Sequence, residues 1–156
     1  MMTFGSLFAG IGGLDLGLER AGMECRWQVE IDKYATRVLE KHWPRVRRWK
    51  DIRTFPPHPN RESESDGSVD EKERSGDSGS ARWEVDLIAG GFPCQDISFA
   101  GAGAGLQGER SGLFFELIRV VRELEPRFVL LENVAALLSR GLDDVLGTLA
   151  AIGYDA

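Results

Sequence analysis

A chain of 156 residues that is 42% hydrophobic and 28% charged is one domain's worth of material, able to bury roughly 70% of the surface its unfolded form exposes. Its net charge of −6 speaks against a generic nucleic-acid coat. Its two widely spaced cysteines, Cys25 and Cys94, speak against a disulfide scaffold or a zinc site and suit a reducing compartment. No stretch approaches the ~18 apolar residues of a membrane span, and no basic region followed by an apolar core marks a secretory signal. The expectation is a cytoplasmic chain with neither a membrane nor a metal partner.

Taken in chain order, short apolar runs alternate with helical patterns. "TFGSLF" (3–8) reads as a strand that ends in a glycine cluster, and "LDLGLERAG" (14–22) as a helix carrying Leu14, Leu16 and Leu18 and stopped by Gly22. "ECRWQVE" (24–30) reads as a second strand, and Asp32 is placed to cap a helix, "KYATRVLEKHW", that Pro44 ends. "VRRWKDI" (46–52) is a third strand. Residues 60–84 then carry 8 acidic and 4 basic side chains with six serines and three glycines. So polar a segment cannot offset its ordering entropy, and a disordered surface insertion is expected.

"VDLIAGG" (85–91) is a fourth strand. Ser111 is an N-cap candidate for a helix whose Leu113, Phe114, Leu117, Ile118, Val121 and Leu124 make one apolar stripe before Pro126. "RFVLLENV" (127–134) is a fifth strand, and "LDDVLGTLAAIG" (142–153) a last helix. Alternating strands and helices imply right-handed βαβ units, hence an α/β, Rossmann-like, doubly wound and mainly parallel sheet. Ligands of such sheets bind beyond the carboxyl ends of the strands.

Those ends carry the candidate site residues. "FAGIGG" (8–13) is a glycine-rich turn, through which backbone can approach a ligand closely. The third glycine of a dinucleotide fingerprint would fall at position 15, where Asp15 stands. The turn therefore fits an adenosine-bearing ligand other than NAD, or simply a tight turn. Glu30 ends the second strand, where a carboxylate can accept from both hydroxyls of a ribose; the alternative is a solvated strand-end residue. Asp51 is placed to accept from an adenine amino group, with Ile52 beside it to pack on the ring, or else to initiate a turn. "KHWPRVRRWKDIR" (41–53), with its basic residues among tryptophans, is read as a solvated face rather than a nucleic-acid patch.

The fourth strand runs into "GGFPCQDIS" (90–98) and the fifth into "LLENV", with Glu132 at its tip. Cys94 is either a small residue in a turn or a nucleophile. A free thiol is only a few per cent thiolate at pH 7. His42 and His58 lie on other segments, so a Cys–His hydrolase pair is unsupported. A carboxylate beside the thiol makes sense if Glu132 acts as an acid toward the substrate, burial keeping it protonated. A thiol with a protonated carboxyl suits conjugate addition to a nitrogen heterocycle.

With "FAGIGG", the acidic residue of "VEID", "KDIRTF", "GGFPCQDIS", "GLFFE" and "LLENV" in this order, the chain resembles the N-terminal catalytic part of a DNA (cytosine-5)-methyltransferase over about residues 4–139. The resemblance implies the S-adenosylmethionine-dependent methyltransferase fold, with S-adenosylmethionine lined by Phe8, Gly10 and Gly12. It implies Glu30 at the ribose, Asp51 and Ile52 at the adenine, Ile31 among the cofactor-binding residues, and Pro93 and Leu113 closing around the cofactor. Cys94 would attack C6 of a cytosine flipped out of double-stranded DNA, and Glu132 would hold its Watson–Crick edge and protonate N3. The glycines at 101, 103, 105 and 108 would belong to a loop that closes on DNA.

The chain departs from the family pattern at Ser6, where an aspartate often stands before "LFAG", and in the length of the acidic insertion. It ends at "GYDA", before the family's arginine-containing motif, target-recognition domain and C-terminal segment. The expectation is therefore a catalytic portion that turns over when a C-terminal chain completes it. The alternatives are a tRNA cytosine-5 methyltransferase and a non-catalytic binding module, whether a fragment or one subunit of a split enzyme.

Overall fold

In a computed structural model of the chain, residues 1–56, 83–93 and 112–155 are described. Cys94, Ser111, the glycine-rich stretch and all but the last two residues of the acidic insertion lie outside them. Five strands, β1 (Thr3–Leu7), β2 (Glu24–Val29), β3 (Arg47–Trp49), β4 (Leu87–Gly90) and β5 (Phe128–Leu131), form one sheet in the order β3-β2-β1-β4-β5. Every neighbouring pair is parallel. The helices are α1 (Gly13–Arg20), α2 (Lys33–His42), α3 (Gly112–Leu124), α4 (Leu137–Arg140) and α5 (Leu142–Ala151).

Strand periodicity sorts the side chains onto two faces. Phe4, Cys25, Leu87 and Ala89 pack with Leu18 of α1, while Leu7, Trp27, Val29 and Ile88 pack with Leu117, Val121 and Leu124 of α3 and Val145 and Leu149 of α5. The expected stripe of α3 is buried from Phe114 to Leu124, and Val120 joins it. Trp27 is the largest fully buried side chain. Its ring lies over Gly5, where any Cβ would collide with it, and its Nε1–H donates to the Trp83 carbonyl at 2.8 Å. Trp83 and Phe55 stack around it, so the chain leaving the acidic insertion re-enters at the core.

Three details differ from the sequence-based expectations. The third strand is only three residues long and gives way to a 3-10 turn, Ile52–Thr54, capped by Asp51. A short helix, α4, follows the fifth strand. Leu16 is exposed, whereas Leu18 is buried and Leu14 packs partly against the core. Positions 14, 16 and 18 cannot all face one side of a helix that turns every 3.6 residues.

Candidate functional site

The chain runs outward from β1 to β2 and β3, then returns to β4 on the other side of β1. The crevice at the carboxyl ends of β1 and β4 is thus the switch point at which such sheets bind ligands. A cavity lies there, lined by Ser6, Leu7, Phe8, Ala9, Leu14, Gly91 and Glu132.

Its β1 wall is the glycine turn. Phe8, Gly10 and Gly12 all have positive φ, 55°, 56° and 85°. For Phe8 this left-handed backbone is strained, and strain of this kind persists where surrounding structure enforces it. The Ala9 N–H donates to the Val29 carbonyl, and the Gly12 N–H to the Ala9 carbonyl. A Cβ on Gly12 would strike the Trp43 ring, whereas a Cβ on Gly10 would meet nothing within 4 Å. Gly12 is therefore demanded by packing beneath the turn, while Gly10 faces open space. That open backbone fits a bulky ligand drawn against the turn.

Glu30 and Asp51 line up beyond it. One oxygen of Glu30 accepts from the Gly10 N–H at 2.7 Å and the other from the Asp32 N–H at 2.7 Å. The carboxylate thus fixes both the glycine turn and the start of α2, where Asp32 caps the N–H groups of Tyr34 and Ala35. Each oxygen keeps a second lone pair for a hydroxyl donor. Asp51 Oδ1 accepts from the Arg53 N–H at 3.0 Å. Ile52 is buried in the core, whereas Ile31 is 57% exposed. Of the two isoleucines, Ile31 presents the open apolar face. Leu113 is half-buried against the core, and Pro93 is exposed.

The opposite wall joins the ends of β4 and β5. The Glu132 N–H donates to the Gly90 carbonyl at 3.0 Å, continuing the ladder that pairs Gly90 with Leu131. A Cβ on Gly91 would stand 2.9 Å from Glu132 Oε2, closer than real Cβ contacts come. Asn133 Nδ2 donates to the Phe92 carbonyl at 2.9 Å, and Phe92 stacks on Phe114 at 5.1 Å. The "GGFP" exit is thereby lashed to "ENV", which brings the approach to Cys94 beside Glu132; Cys94 itself lies outside the described residues. Glu132, expected to be buried, is exposed.

A buried polar cluster that the sequence does not advertise lies beneath the glycine turn. Asp15 Oδ2 accepts from the Ser6 hydroxyl at 3.0 Å, and Oδ1 from Gln28 Nε2 at 2.8 Å, with the Cys25 thiol 3.9 Å away. Asp15, Ser6 and Gln28 are the buried polar side chains among the described residues. Burial raises the Asp15 carboxyl above its ordinary range, partly opposed by the Gln28 and Ser6 bonds. Burial, reinforced by the charge of Asp15, also pushes the Cys25 thiol far up, leaving it inert as a nucleophile. The residue that spoiled the dinucleotide fingerprint is thus an internal anchor. So is Arg48 of the basic stretch, whose guanidinium donates to the Trp43 and Val46 carbonyls.

A family model described as C-5 cytosine-specific DNA methylase matches residues 2–156. The chain belongs to that family. Among its relatives in the C-5 cytosine-specific DNA methylase family, it is similar to the type II methyltransferase M.Eco47II of Escherichia coli, 36% identical over 152 residues. That match covers 95% of this chain and 32% of the relative. It is similar also to M.HhaI of Haemophilus parahaemolyticus, 34% identical over 138 residues, covering 85% of this chain and 34% of the relative. The chain therefore spans about a third of the length of these methylases. In fold it is similar to the crystal structure of a Spodoptera frugiperda DNMT2 mutant, with a TM-score of 0.65 at 20% identity, covering 97% of this chain and 41% of that one.

Proposed function

We propose that this chain is the part of a DNA cytosine-5 methyltransferase that holds S-adenosylmethionine and carries the attacking thiol, and that it turns over when a further chain segment completes it. The observation that carries the reading is the switch-point crevice, in which a strained, open glycine turn faces Gly91 and Glu132 across one cavity. S-adenosylmethionine, when bound, supplies a methyl group on a positively charged sulfur. The glycine turn gives its backbone to the cofactor, and Glu30 accepts from the ribose hydroxyls with its remaining lone pairs. Asp51 accepts from the adenine amino group, and Ile31 covers one side of the sugar and base.

The Cys94 thiolate adds to C6 of a cytosine drawn out of the duplex, forming a carbon–sulfur bond. Glu132 delivers a proton to N3, so the electron pair released from the C5–C6 double bond collects at C5 rather than as charge on the ring. C5 then takes the methyl group. Loss of the C5 proton to water re-forms the double bond, Cys94 leaves as thiolate, and N3 returns its proton to Glu132. A base docked with its Watson–Crick edge against the exposed Glu132 would exclude water from that carboxyl. Extraction of the base costs a few kcal/mol, which contacts in the pocket must offset.

The test is transfer of labelled methyl from S-adenosylmethionine to DNA by the chain together with candidate completing segments, with transfer RNA as the competing substrate. Methylation of DNA that disappears in Cys94→Ala is expected. Transfer that survives Cys94→Ala overturns the covalent step, and transfer to tRNA alone overturns the substrate. Measurable turnover by the 156-residue chain alone would refute the need for completion.

A further inference from the structure

We infer that Arg119 of α3 is a positioning residue for the adenine side of the cofactor site, because its guanidinium grips the turn that carries Asp51. The inference rests on reading the crevice as an S-adenosylmethionine site. Arg119 Nη2 donates to the carbonyl of Ile52 at 2.8 Å and to that of Phe55 at 2.6 Å. The rest of the fork is held from behind. Nε donates to Glu116 at 2.7 Å and Nη1 to Glu123 at 2.8 Å, one turn to either side on the same helix.

The turn needs such a grip. The 3-10 segment is three residues long, and it closes on the Asp51 and Ile52 carbonyls through the Thr54 and Phe55 N–H groups. The Ile52 carbonyl thus takes the guanidinium as a second donor beside the Phe55 N–H, and the Phe55 carbonyl, just past the turn, takes it too. Only a planar fork with five N–H groups can serve two carboxylates and two carbonyls at once; an ammonium offers three donors from a single point. Ile52 and Phe55 are buried, so packing sets the turn's inner side; the Thr54 N–H and hydroxyl hold the Asp51 carbonyl, and Arg119 ties the Ile52 and Phe55 carbonyls that follow Asp51 to α3.

Asp51 Oδ1 is occupied by the Arg53 N–H, and Oδ2 takes no bond from any described residue. A shift of the turn therefore moves the acceptor that faces the adenine amino group while leaving Glu30 and the glycine turn where they are. The consequence is a loss of base discrimination in particular, not of cofactor binding in general.

The experiment measures binding of S-adenosylhomocysteine and S-inosylhomocysteine to the 156-residue chain by calorimetry, with thermal melting as a check on folding. The inosyl ligand presents an oxygen where the adenosyl ligand presents the amino group, so an acceptor facing it is repelled. Wild type is expected to favour the adenosyl ligand. Arg119→Met is expected to weaken adenosyl binding about tenfold, the scale of losing charge-assisted hydrogen bonds. Inosyl binding should stay nearly constant, so the ratio falls toward one. Arg119→Lys should lie between, having a donor for one carbonyl. A folded Arg119→Met chain with the wild-type ratio overturns the inference and leaves the cofactor reading intact. A wild-type chain that binds neither ligand overturns that reading and the inference with it. If Arg119→Met does not melt cooperatively, Arg119→Lys decides: a lowered ratio supports the positioning role, and an unchanged ratio overturns it.

Discussion

On the β1–β2–β3 side of the crevice, side chains from several elements tie the backbone in place. Glu30 holds Gly10, the Asp15 cluster holds the underside of α1, Trp43 closes the space beneath Gly12, and Arg119 holds the turn after β3. On the β4–β5 side the tethers among the described residues are the ladder bond from Glu132 to Gly90, the bond from Asn133 to the Phe92 carbonyl and the packing of Phe92 on Phe114. There the carboxylate at the tip of β5 stands exposed. The contrast matches the tasks proposed for the two walls. A cofactor of fixed shape binds better to a surface that need not reorganise. A base that must enter from a duplex needs room, and its own arrival can desolvate the acid that meets it.

Substitutions that break this contrast should differ most where the tied wall is touched. Gly12→Ala combines a left-handed backbone with a Cβ directed into the Trp43 ring. It should cost about 2–4 kcal/mol, read as a lowered denaturant midpoint, and an unchanged midpoint would show that the wall is soft.

Asp15→Leu leaves the Ser6 hydroxyl and the Gln28 amide without their acceptor and should cost about 1–3 kcal/mol. Asp15→Asn keeps an acceptor and removes the charge, so it separates hydrogen bonding from ionisation. Because burial raises the Asp15 pKa above its unfolded value of 3.8, the folded chain holds that proton more tightly than the unfolded one. The group favours folding most below pH 3.8, and that contribution is lost as pH climbs through the raised value. The melting temperature of Asp15→Asn relative to wild type should therefore rise between acid and neutral pH. A difference that stays flat would place the carboxyl at an ordinary pKa.

Smaller effects on stability should accompany larger ones on binding. Glu30→Ala removes the acceptor for two partly exposed backbone N–H groups and should cost about 1–2 kcal/mol. Its loss of S-adenosylmethionine affinity in a titration should exceed that of a substitution on the far wall. Glu132→Gln, at an exposed tip, should change unfolding free energy by less than about 0.5 kcal/mol. In a completed enzyme it should nevertheless stop labelled methyl transfer. A large stability change there would mean that the open wall is held as firmly as the tied one.

The succession of strands and helices was legible because apolar runs of four to six residues, glycine stops and the Asp32 cap are local signals. The α3 stripe is the clearest of them, since six apolar positions at helical spacing admit one reading. Boundaries were less legible. The third strand ends early because Asp51 turns its side chain onto the Arg53 N–H and starts a 3-10 turn, a choice that an edge strand with one neighbour can yield to. The strand-end residues were legible as an ordered set, and the crevice brings Phe8, Gly91 and Glu132 together around one cavity. The bonds that Asp15, Asn133 and Arg119 make around it were not legible. An aspartate in a first helical turn, an asparagine after a strand and an arginine between glutamates on a helix all have ordinary surface explanations.

By itself, then, the sequence determined the parallel α/β pattern, the family and the set of residues gathered at the strand ends, because periodicity and motif order are properties of the chain alone. Only the tertiary structure decided which of those residues also serve the scaffold. Glu30 spends one lone pair on each of two backbone N–H groups, Ile52 goes into the core while Ile31 stays open, and Asp15 becomes an anchor rather than a failed glycine. The reason is physical: whether a polar atom is buried, and which donor satisfies it, depends on side chains tens of residues away that only the folded sheet brings within hydrogen-bonding distance.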